Sequence, residues 1–354
     1  MNLKTAIRKG VCSAWFSAVL IVLLGARPAF GQFADETRKV TKSGTTAAAF
    51  LSIPVGARAT AMGGAVSASV NDATAIYWNP AGLARQEKGM FTAEYARWLA
   101  GVDFNYAALS LPTGIGTFGV GVTSMRTPEM EVTTEEAENG TGETFTAGSY
   151  ALAFAYSRAL TDRFSIGGSA KLVSERIWNS SASGLALDLG TMFTTPFHGI
   201  RLGASISNFG TKMHMSGDDL LSIVDVDPND HGNNESSRAV LQTDRFDLPL
   251  TMRIGVAGEV VQSGSTRLTL AVDALSPNNT DQYVNLGAEA AFLGGLVLLR
   301  GGYSELFLKD SLRSFTLGGG LHYGFGSLNV AFDYAYEAQA FFSGVNRFSL
   351  ALLF

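Results

Sequence analysis

Residues 328–337 read LNVAFDYAYE. Every second residue of this stretch, from Leu328 to Tyr336, is large and apolar, and the residues between them are small or polar. Successive side chains of a β-strand point to opposite sides of its sheet, so the pattern predicts a strand with one apolar face. A membrane barrel needs such strands, with lipid on one side and a lumen on the other. Soluble β-sandwiches alternate in the same way, so this stretch alone leaves both folds open.

The same period-two pattern recurs along the chain after Arg85, and residues 250–259 repeat it closely. We count fourteen such segments, which predict fourteen strands. Their approximate spans are 87–97, 103–111, 115–125, 149–160, 164–175, 184–194, 200–207, 247–259, 265–274, 283–291, 296–303, 313–323, 328–337 and 345–354.

The connections between these segments favour the membrane barrel. Those after even-numbered strands are short, whereas those after odd-numbered strands are longer, and two are very long, at 126–148 and 208–246. Short turns at one end and long loops at the other are typical of outer-membrane barrels. With the N-terminus in the periplasm, the long connections face the outside. Aromatic residues at strand ends are expected to form membrane girdles: Tyr95, Trp98, Phe104, Tyr106, Tyr303, Tyr323, Tyr334 and Tyr336.

The first residues carry an export signal. A basic start (Lys4, Arg8, Lys9) precedes an apolar stretch, and Ala29-Phe30-Gly31 forms a small-x-small cleavage site, which predicts a signal peptide over residues 1–31. Its removal takes away Cys12, the only cysteine, and leaves 22 Lys and Arg against 31 Asp and Glu. An acidic exported protein without cysteine is expected to bind no nucleic acid and to hold no disulfide or thiolate metal site.

Residues 32–86 precede the first strand and fit no strand pattern. Fourteen strands enclose more space than small inward side chains can fill, so we expect segment 45–86, rich in Ala and Gly, to plug the lumen. The predicted barrel then spans residues 87–354. The expected fold is an all-β, fourteen-stranded antiparallel transmembrane barrel with an N-terminal plug.

The centre of the plug reads NDATAIYWNPAGL over residues 71–83. Asn71 or Asp72 can cap a short helix over 73–78, because their side chains accept backbone N–H bonds. Pro80 disfavours helical geometry at Asn79, and Gly82 would permit a sharp turn into the first strand. Arg58 is the one charge in its apolar surroundings and is either paired with a carboxylate or solvated at the surface.

Catalytic and cofactor signals are weak. The G-x-G-x-x-G match at 114–119 leads into a strand rather than a helix, and the four histidines have no ligand spacing. Residues 225–230 could bind calcium but lack the EF-hand pattern. We therefore expect neither an enzyme nor a resident metal or cofactor. Inward charges should either pair across the barrel or line a path for cargo: Lys171, Glu175, Asp188, Arg253, Glu259, Arg267, Asp273, Glu289 and Asp333.

The plug motif carries a family resemblance. Residues 79–83 (NPAGL), preceded by Asp72 and an aromatic pair, resemble the "NPAG" segment of the FadL superfamily of fourteen-stranded barrels. Residues 58–65 (RATAMGGA) together with Asp72 and 78–82 are similar to the PorV/PorQ branch, which belongs to the type IX secretion system. The plug-motif residues are Arg58, Asp72, Asn79, Pro80, Ala81 and Gly82, and the terminal Phe354 resembles a signal for the barrel-assembly machinery.

The resemblance implies two competing functions in a bacterial outer membrane. A PorV/PorQ-like protein would receive or shuttle exported proteins through their C-terminal domains, with other secretion-system proteins as partners. A FadL-like protein would let long-chain fatty acids or other hydrophobic small molecules diffuse across the membrane. A fatty-acid channel needs a continuous apolar pocket beside the hatch, which the small, mixed inward residues mildly disfavour.

Overall fold

The computed structural model describes residues 42, 44–225, 227, 229, 232, 236–326 and 328–354. The predicted signal peptide lies outside these residues, as does half of the candidate calcium segment 225–230. Within the described ranges, no helix is both long enough and apolar enough to cross a membrane.

Fourteen antiparallel strands form the wall, and they match the predicted segments in order and number. We label them β1 to β14 in chain order. Their bounds are Met90–Arg97, Asp103–Thr113, Gly116–Arg126, Ala147–Thr161, Phe164–Ile177, Ser180–Thr194, Arg201–Gly210, Thr251–Ser263, Thr266–Pro277, Tyr283–Phe292, Val297–Leu306, Arg313–Phe325, Leu328–Gln339 and Val345–Leu353.

The sheet closes on itself because β14 pairs with β1, from Leu353 opposite Met90 to Arg347 opposite Ala96. Closure removes the free edges that a lipid environment would leave unsatisfied. Single 3-10 turns and short ribbons decorate the connections. They are the turns Leu99–Gly101, Asp218–Leu220 and Leu293–Gly295, the pair Met130–Glu131 with Thr144–Phe145, the pair Leu221–Val224 with Ser237–Val240, and Ser216–Gly217 beside β6.

The alternation sorts side chains as predicted. On β13, Phe332 is exposed on the outer surface, whereas Asp333 and Ala335 face inward and are buried. Three of the predicted girdle aromatics are wrongly placed, however. The ring of Trp98 lies 5.2 Å from the guanidinium carbon of the buried Arg347 and packs against the interior cluster. Phe104 and Tyr106 on β2 are buried inside the barrel, where the OH of Tyr106 donates to the carbonyl oxygen of Ala73. Their parity along the strand points them inward, toward the plug.

The plug lies inside the barrel and contains four short helical segments. They are a 3-10 turn at Ala49–Ser52, helix α1 at Ala57–Ala61, helix α2 at Ala75–Trp78 and a 3-10 helix at Pro80–Arg85. Helix α2 ends at Trp78 as predicted but begins two residues late. Asp72 accepts the backbone N–H of Thr74 at 2.8 Å, so it caps the turn that precedes the helix.

The plug runs from one mouth of the barrel to the other. Its first described residues lie at the mouth with the long connections, where Ala47 donates its backbone N–H to the carbonyl oxygen of Asp247 at 2.9 Å. Its last turn lies at the opposite, short-turn mouth, where Arg85 Nη2 donates to Thr194 Oγ1 at 2.7 Å. Residues 44–48 therefore share a mouth with the long connections, whereas β1 begins at the short-turn mouth.

Glycines of the inner wall let the plug backbone approach. A Cβ added at Gly203 would lie 2.1 Å from the carbonyl oxygen of Ser67, and one at Gly302 would lie 2.3 Å from the backbone nitrogen of Gly63. No real side chain fits at such distances. The many small inward residues therefore leave space that the plug fills, and the plug and wall share one buried apolar cluster.

Candidate functional site

Asn79 joins the two halves of the plug to the wall. Its side-chain amide donates to the carbonyl oxygens of Ser67, at 2.8 Å, and of Thr191 on β6, at 3.1 Å. Its side-chain oxygen accepts the backbone N–H of Ala81 at 3.2 Å, which caps the following 3-10 helix. Asn79 is fully buried, so all three bonds are shielded from water. Asn79 therefore bonds both the plug backbone and the wall.

Arg58 lies beside Asp72, which agrees with the first of the two predicted alternatives for Arg58, pairing with a carboxylate. Arg58 Nη1 is 3.2 Å from Asp72 Oδ2, and Arg58 Nε is 3.0 Å from Glu289 Oε2 on β10. Burial alone would lower the pKa of the Arg58 guanidinium. The carboxylates of Glu289 and Asp72 outweigh that effect and raise its pKa above the ordinary value, so the side chain stays charged.

The other motif residues serve packing. Pro80 begins the second 3-10 helix, and the carbonyl oxygen of Ala81 accepts the hydroxyls of Ser157 and Ser165 at 3.3 and 3.0 Å. Gly82 does not make the predicted turn into β1, because it lies inside that helix. A Cβ there would lie 2.5 Å from the carbonyl oxygen of Val70, so close packing rather than a turn requires glycine.

Wall side chains satisfy the plug backbone at many further points. Glu94 on β1 accepts the backbone N–H of Gly56, and Asp273 on β9 accepts those of Val66 and Ser67 at 3.1 and 2.9 Å. Short helices leave many backbone groups without internal partners, and a buried group without a partner is costly. The wall therefore supplies the bonds that hold the plug in one conformation.

The inner wall has a charged sector, formed by β8 to β14 together with β1. Glu289 at its centre accepts Arg300 at 2.8 Å and Arg267 at 3.1 Å as well as Arg58. Other pairs and bonds in this sector are Arg300–Asp333, His322–Asp333, Arg313–Glu305, Arg347–Glu94 and Arg253 to Ser207.

Pairing along the wall and with the plug replaces the predicted pairing across the barrel. Outside the charged sector, Lys171 on β5 pairs with Asp188 on β6 at 2.7 Å. At its edge, Arg201 on β7 pairs with Glu259 on β8 at 2.7 Å. Glu175 on β5 accepts the backbone N–H of Ala48 at 2.9 Å. The predicted inward charges are thus structural partners of neighbouring strands or of the plug backbone.

The inner face of β2 to β4 forms an apolar sector. It carries small or aromatic residues, including Phe104, Ala108, Gly119, Gly121 and Ala153. Ile76 and Leu83 of the plug pack against this sector. Their side chains lie so close to Gly119 that an added Cβ there would be 2.8 Å from Ile76 Cδ1 and 3.2 Å from Leu83 Cδ1. Contact here is by packing, in contrast to the ion pairs of the charged sector.

The plug leaves little open space in the lumen beside it. A cavity lined by Thr60, Trp78, Arg253, Glu305 and Glu337, among others, has a volume of about 30 Å³. Such a cavity holds a few water molecules at most, and its lining is half polar and half apolar. The continuous apolar pocket expected beside the hatch of an open fatty-acid channel is not formed in the part of the chain that the structure describes.

Sequence reasoning missed several members of the charged sector. Arg347 and Arg300 have side chains with no exposed surface, and Glu94, Glu305 and Glu337 are also nearly buried. Parity could have placed Glu94, Arg300, Glu337 and Arg347 inside, because each lies at an inward position of an alternating strand. Glu305 could not be placed in this way, because it follows the inward Ser304 directly, at a positive φ of 58° that breaks the alternation. Phe354, the proposed assembly signal, lies half exposed at the short-turn mouth, and its backbone N–H donates to the carbonyl oxygen of Gly89 at 2.9 Å.

Comparison with known proteins is informative at the level of structure only. No protein-family model matches the sequence. No curated protein matches it either. Among solved structures, the monoaromatic hydrocarbon channel CymD matches with a TM-score of 0.55 and 14% identity, covering 84% of this chain and 96% of that one. The chain shares the fold of this channel.

The toluene transporter TodX of Pseudomonas putida matches similarly, with a TM-score of 0.52 and 14% identity, over 84% of this chain and 97% of that one. These matches agree with the predicted fold, a fourteen-stranded antiparallel barrel. Together with the apolar outer surface, the fold supports the expected outer-membrane location.

Proposed function

We propose that this protein is an outer-membrane channel for small hydrophobic molecules, held closed by its plug. The observation that carries the proposal is the division of the inner wall into a charged and an apolar sector. On the apolar side, Ile76 and Leu83 of the plug pack on β2 to β4, and few polar contacts hold them there. Separating those surfaces opens a path lined by apolar atoms.

The charged sector gives the plug a fixed side about which it can move. Glu289, Glu94 and Asp273 hold Arg58, Gly56 and the 66–67 backbone through buried bonds. Breaking buried ion pairs costs more free energy than parting small apolar surfaces, so movement is favoured on the apolar side. The channel structures that share this fold are those of hydrocarbon transporters, which supports hydrophobic cargo.

The first test measures uptake of radiolabelled toluene and of a long-chain fatty acid by cells that lack other such channels. The wild-type protein should increase uptake of at least one of them. Ala108→Met places a larger side chain in the apolar sector and should reduce uptake. Ala271→Met makes the same change at a buried position on β9, in the charged sector, and should leave uptake near the wild-type rate.

Equal uptake with and without the wild-type protein, at matched outer-membrane levels, would contradict the channel. An equal loss of uptake in both variants would show that any added volume inside the barrel disturbs the protein. The division of the inner wall into two sectors would then no longer support the proposal. Heat-modified migration on gels serves as the control for correctly folded barrel in each strain.

A second candidate is the type IX secretion role, in which the barrel receives or shuttles exported proteins. The observations in its favour are the plugged lumen and the exposed apolar ribbon Leu221–Val224 with Ser237–Val240. Ile223 in that ribbon is 73% exposed and Val240 is 64% exposed. Exposed apolar surface at a loop is typical of a protein-binding site. Retention of exported proteins in a deletion strain, without any change in hydrocarbon uptake, would favour this candidate.

A further inference from the structure

An apolar groove runs along the outer surface of β5. Its volume is about 720 Å³. Three register rows cross β4, β5 and β6 here, and in two of them the central residue is small: Phe154–Ala170–Leu187 and Tyr156–Gly168–Leu189. The large residues on either side form the walls, and Ala170 and Gly168 form the floor. We call this feature the β5 groove.

The groove has defined ends. The row Leu152–Leu172–Leu185 lies beyond Ala170, and Ile166 lies beyond Gly168, so a large side chain on β5 bounds the groove at each end. From Ile166 to Leu172 the strand advances about 20 Å at 3.3 Å per residue. One leaflet of a bilayer contributes about 15 Å of hydrocarbon. Because the side chains of Ile166 and Leu172 close the two ends, the groove is long enough for a large part of one lipid tail.

One wall of the groove and its floor are fixed before anything binds. The ring of Tyr156 packs on that of Phe118 with centroids 5.1 Å apart, and its hydroxyl donates to the carbonyl oxygen of Ile115 at 2.7 Å. On the inner side of the floor, Lys171 and Asp188 form a buried ion pair 2.7 Å apart. A rigid groove loses little conformational entropy when it is filled, which favours binding.

The surroundings select an alkyl chain as the occupant. At these rows the backbones of β4, β5 and β6 are paired with each other, so a peptide finds no free backbone groups to bond. The groove is continuous with the lipid-facing wall, and its lining is almost entirely apolar. We propose that the β5 groove is a binding site for one acyl chain of an outer-membrane lipid, held more tightly than the lipid around the rest of the wall.

The test is native mass spectrometry of the purified full-length barrel in detergent, titrated with dipalmitoyl phosphatidylethanolamine. Wild type should retain one lipid at detergent concentrations that strip the rest. Ala170→Leu fills the floor and should lose that adduct. Gly168→Ala is a milder filling, because its Cβ would contact Asp188 and Leu189 at ordinary distances of 3.4 and 3.5 Å, and it should weaken retention.

Ala288→Leu is the matched control, since Ala288 lies at an outward position on β10, away from the groove. It should retain the lipid as wild type does. Equal retention in Ala170→Leu and wild type would overturn the proposal. So would a change from dimer to monomer in Ala170→Leu without lipid loss, because a second copy would then be the occupant. Displacement of the lipid by toluene at low concentration would also overturn it, in favour of a site for transported hydrocarbon.

Discussion

At the residue scale, Asn79 has no exposed surface and makes three hydrogen bonds that no other residue type of its size reproduces. It also lies against a wall glycine, since a Cβ at Gly190 would approach Asn79 Oδ1 to 2.0 Å. The site therefore constrains both the chemistry and the shape of the side chain. Its bonds reach Ser67, Ala81 and Thr191, so one residue couples two parts of the plug and β6.

We expect Asn79→Leu to loosen the plug and to leave the wall intact. The substitution leaves the carbonyl oxygens of Ser67 and Thr191 without this donor, at a cost of about 1–3 kcal/mol. The strand ladders do not involve the side chain, so heat-modified migration and outer-membrane levels should be normal. Sensitivity to small antibiotics that the wild type excludes should rise.

Asn105→Leu, on the outer face of β2, is the control and should change neither property. The same two strains also separate the functional proposals. Faster fatty-acid or toluene uptake with normal protein secretion favours the channel, whereas impaired release of exported proteins favours the secretion role. Unchanged permeability, uptake and secretion in Asn79→Leu would mean that Asn79 does not hold the plug.

At the scale of elements, the one charged side chain of α1, Arg58, pairs with Glu289 on β10. Glu289 accepts three guanidinium groups, from Arg58 on α1, Arg267 on β9 and Arg300 on β11. The three differ in exposure: the side chain of Arg300 is buried, that of Arg58 is 21% exposed and that of Arg267 is 44% exposed. Loss of the carboxylate therefore affects the buried cations far more than the exposed one.

Glu289→Gln should destabilise the barrel by about 1–3 kcal/mol, because it removes a buried acceptor from Arg58 and Arg300, each of which keeps one other carboxylate. Arg267→Gln removes a largely solvated member of the same cluster and should cost about 0–1 kcal/mol. Urea unfolding from lipid vesicles, followed by tryptophan fluorescence, measures both. Equal destabilisation by the two changes would show that the cluster acts through something other than buried charge.

Most of the elements could be predicted from the sequence, for a specific physical reason. Strand existence, facing and order depend on local alternation, and the pattern from Leu328 to Glu337 holds residue by residue in β13. The plug could be located but not traced, because its backbone bonds go to wall residues far along the chain, such as Glu94, Asp273 and Ser304. Gly82 shows why the plug could not be traced. Its neighbours in the sequence predict a turn, whereas glycine is required there because the backbone of Val70 lies so close.

At the scale of the whole molecule, we expect the mouth with the long connections to face the outside, and the start of the plug lies at that mouth. The Asn279 side-chain amide donates to Thr46 Oγ1 at 3.3 Å, and Asn279 belongs to the connection between β9 and β10. Lys42 and Thr45, which precede Thr46 in the chain, are exposed. Orientation and plug direction can therefore be tested together.

Single cysteines at Lys42, Thr141 and Ser265 should report the two mouths. Thr141 lies in the connection between β3 and β4, and Ser265 lies in the turn between β8 and β9. A membrane-impermeant maleimide added to intact cells should label Lys42→Cys and Thr141→Cys, whereas Ser265→Cys should react only after lysis. Labelling of Ser265→Cys alone in intact cells would reverse the orientation, and labelling of Thr141→Cys without Lys42→Cys would contradict the direction of the plug.

The path of the plug has a consequence for the order in which the protein is made. Gly56 bonds Glu94 on β1 and the backbone N–H of Ala57 donates to Ser349 on β14, so adjacent plug residues bridge the two strands whose pairing completes the cylinder. A chain that reaches from one mouth to the other through a close-packed interior cannot be threaded in afterwards. We therefore expect the leading segment to occupy the nascent ring before the last strand meets the first, so that the barrel is plugged from the moment it closes.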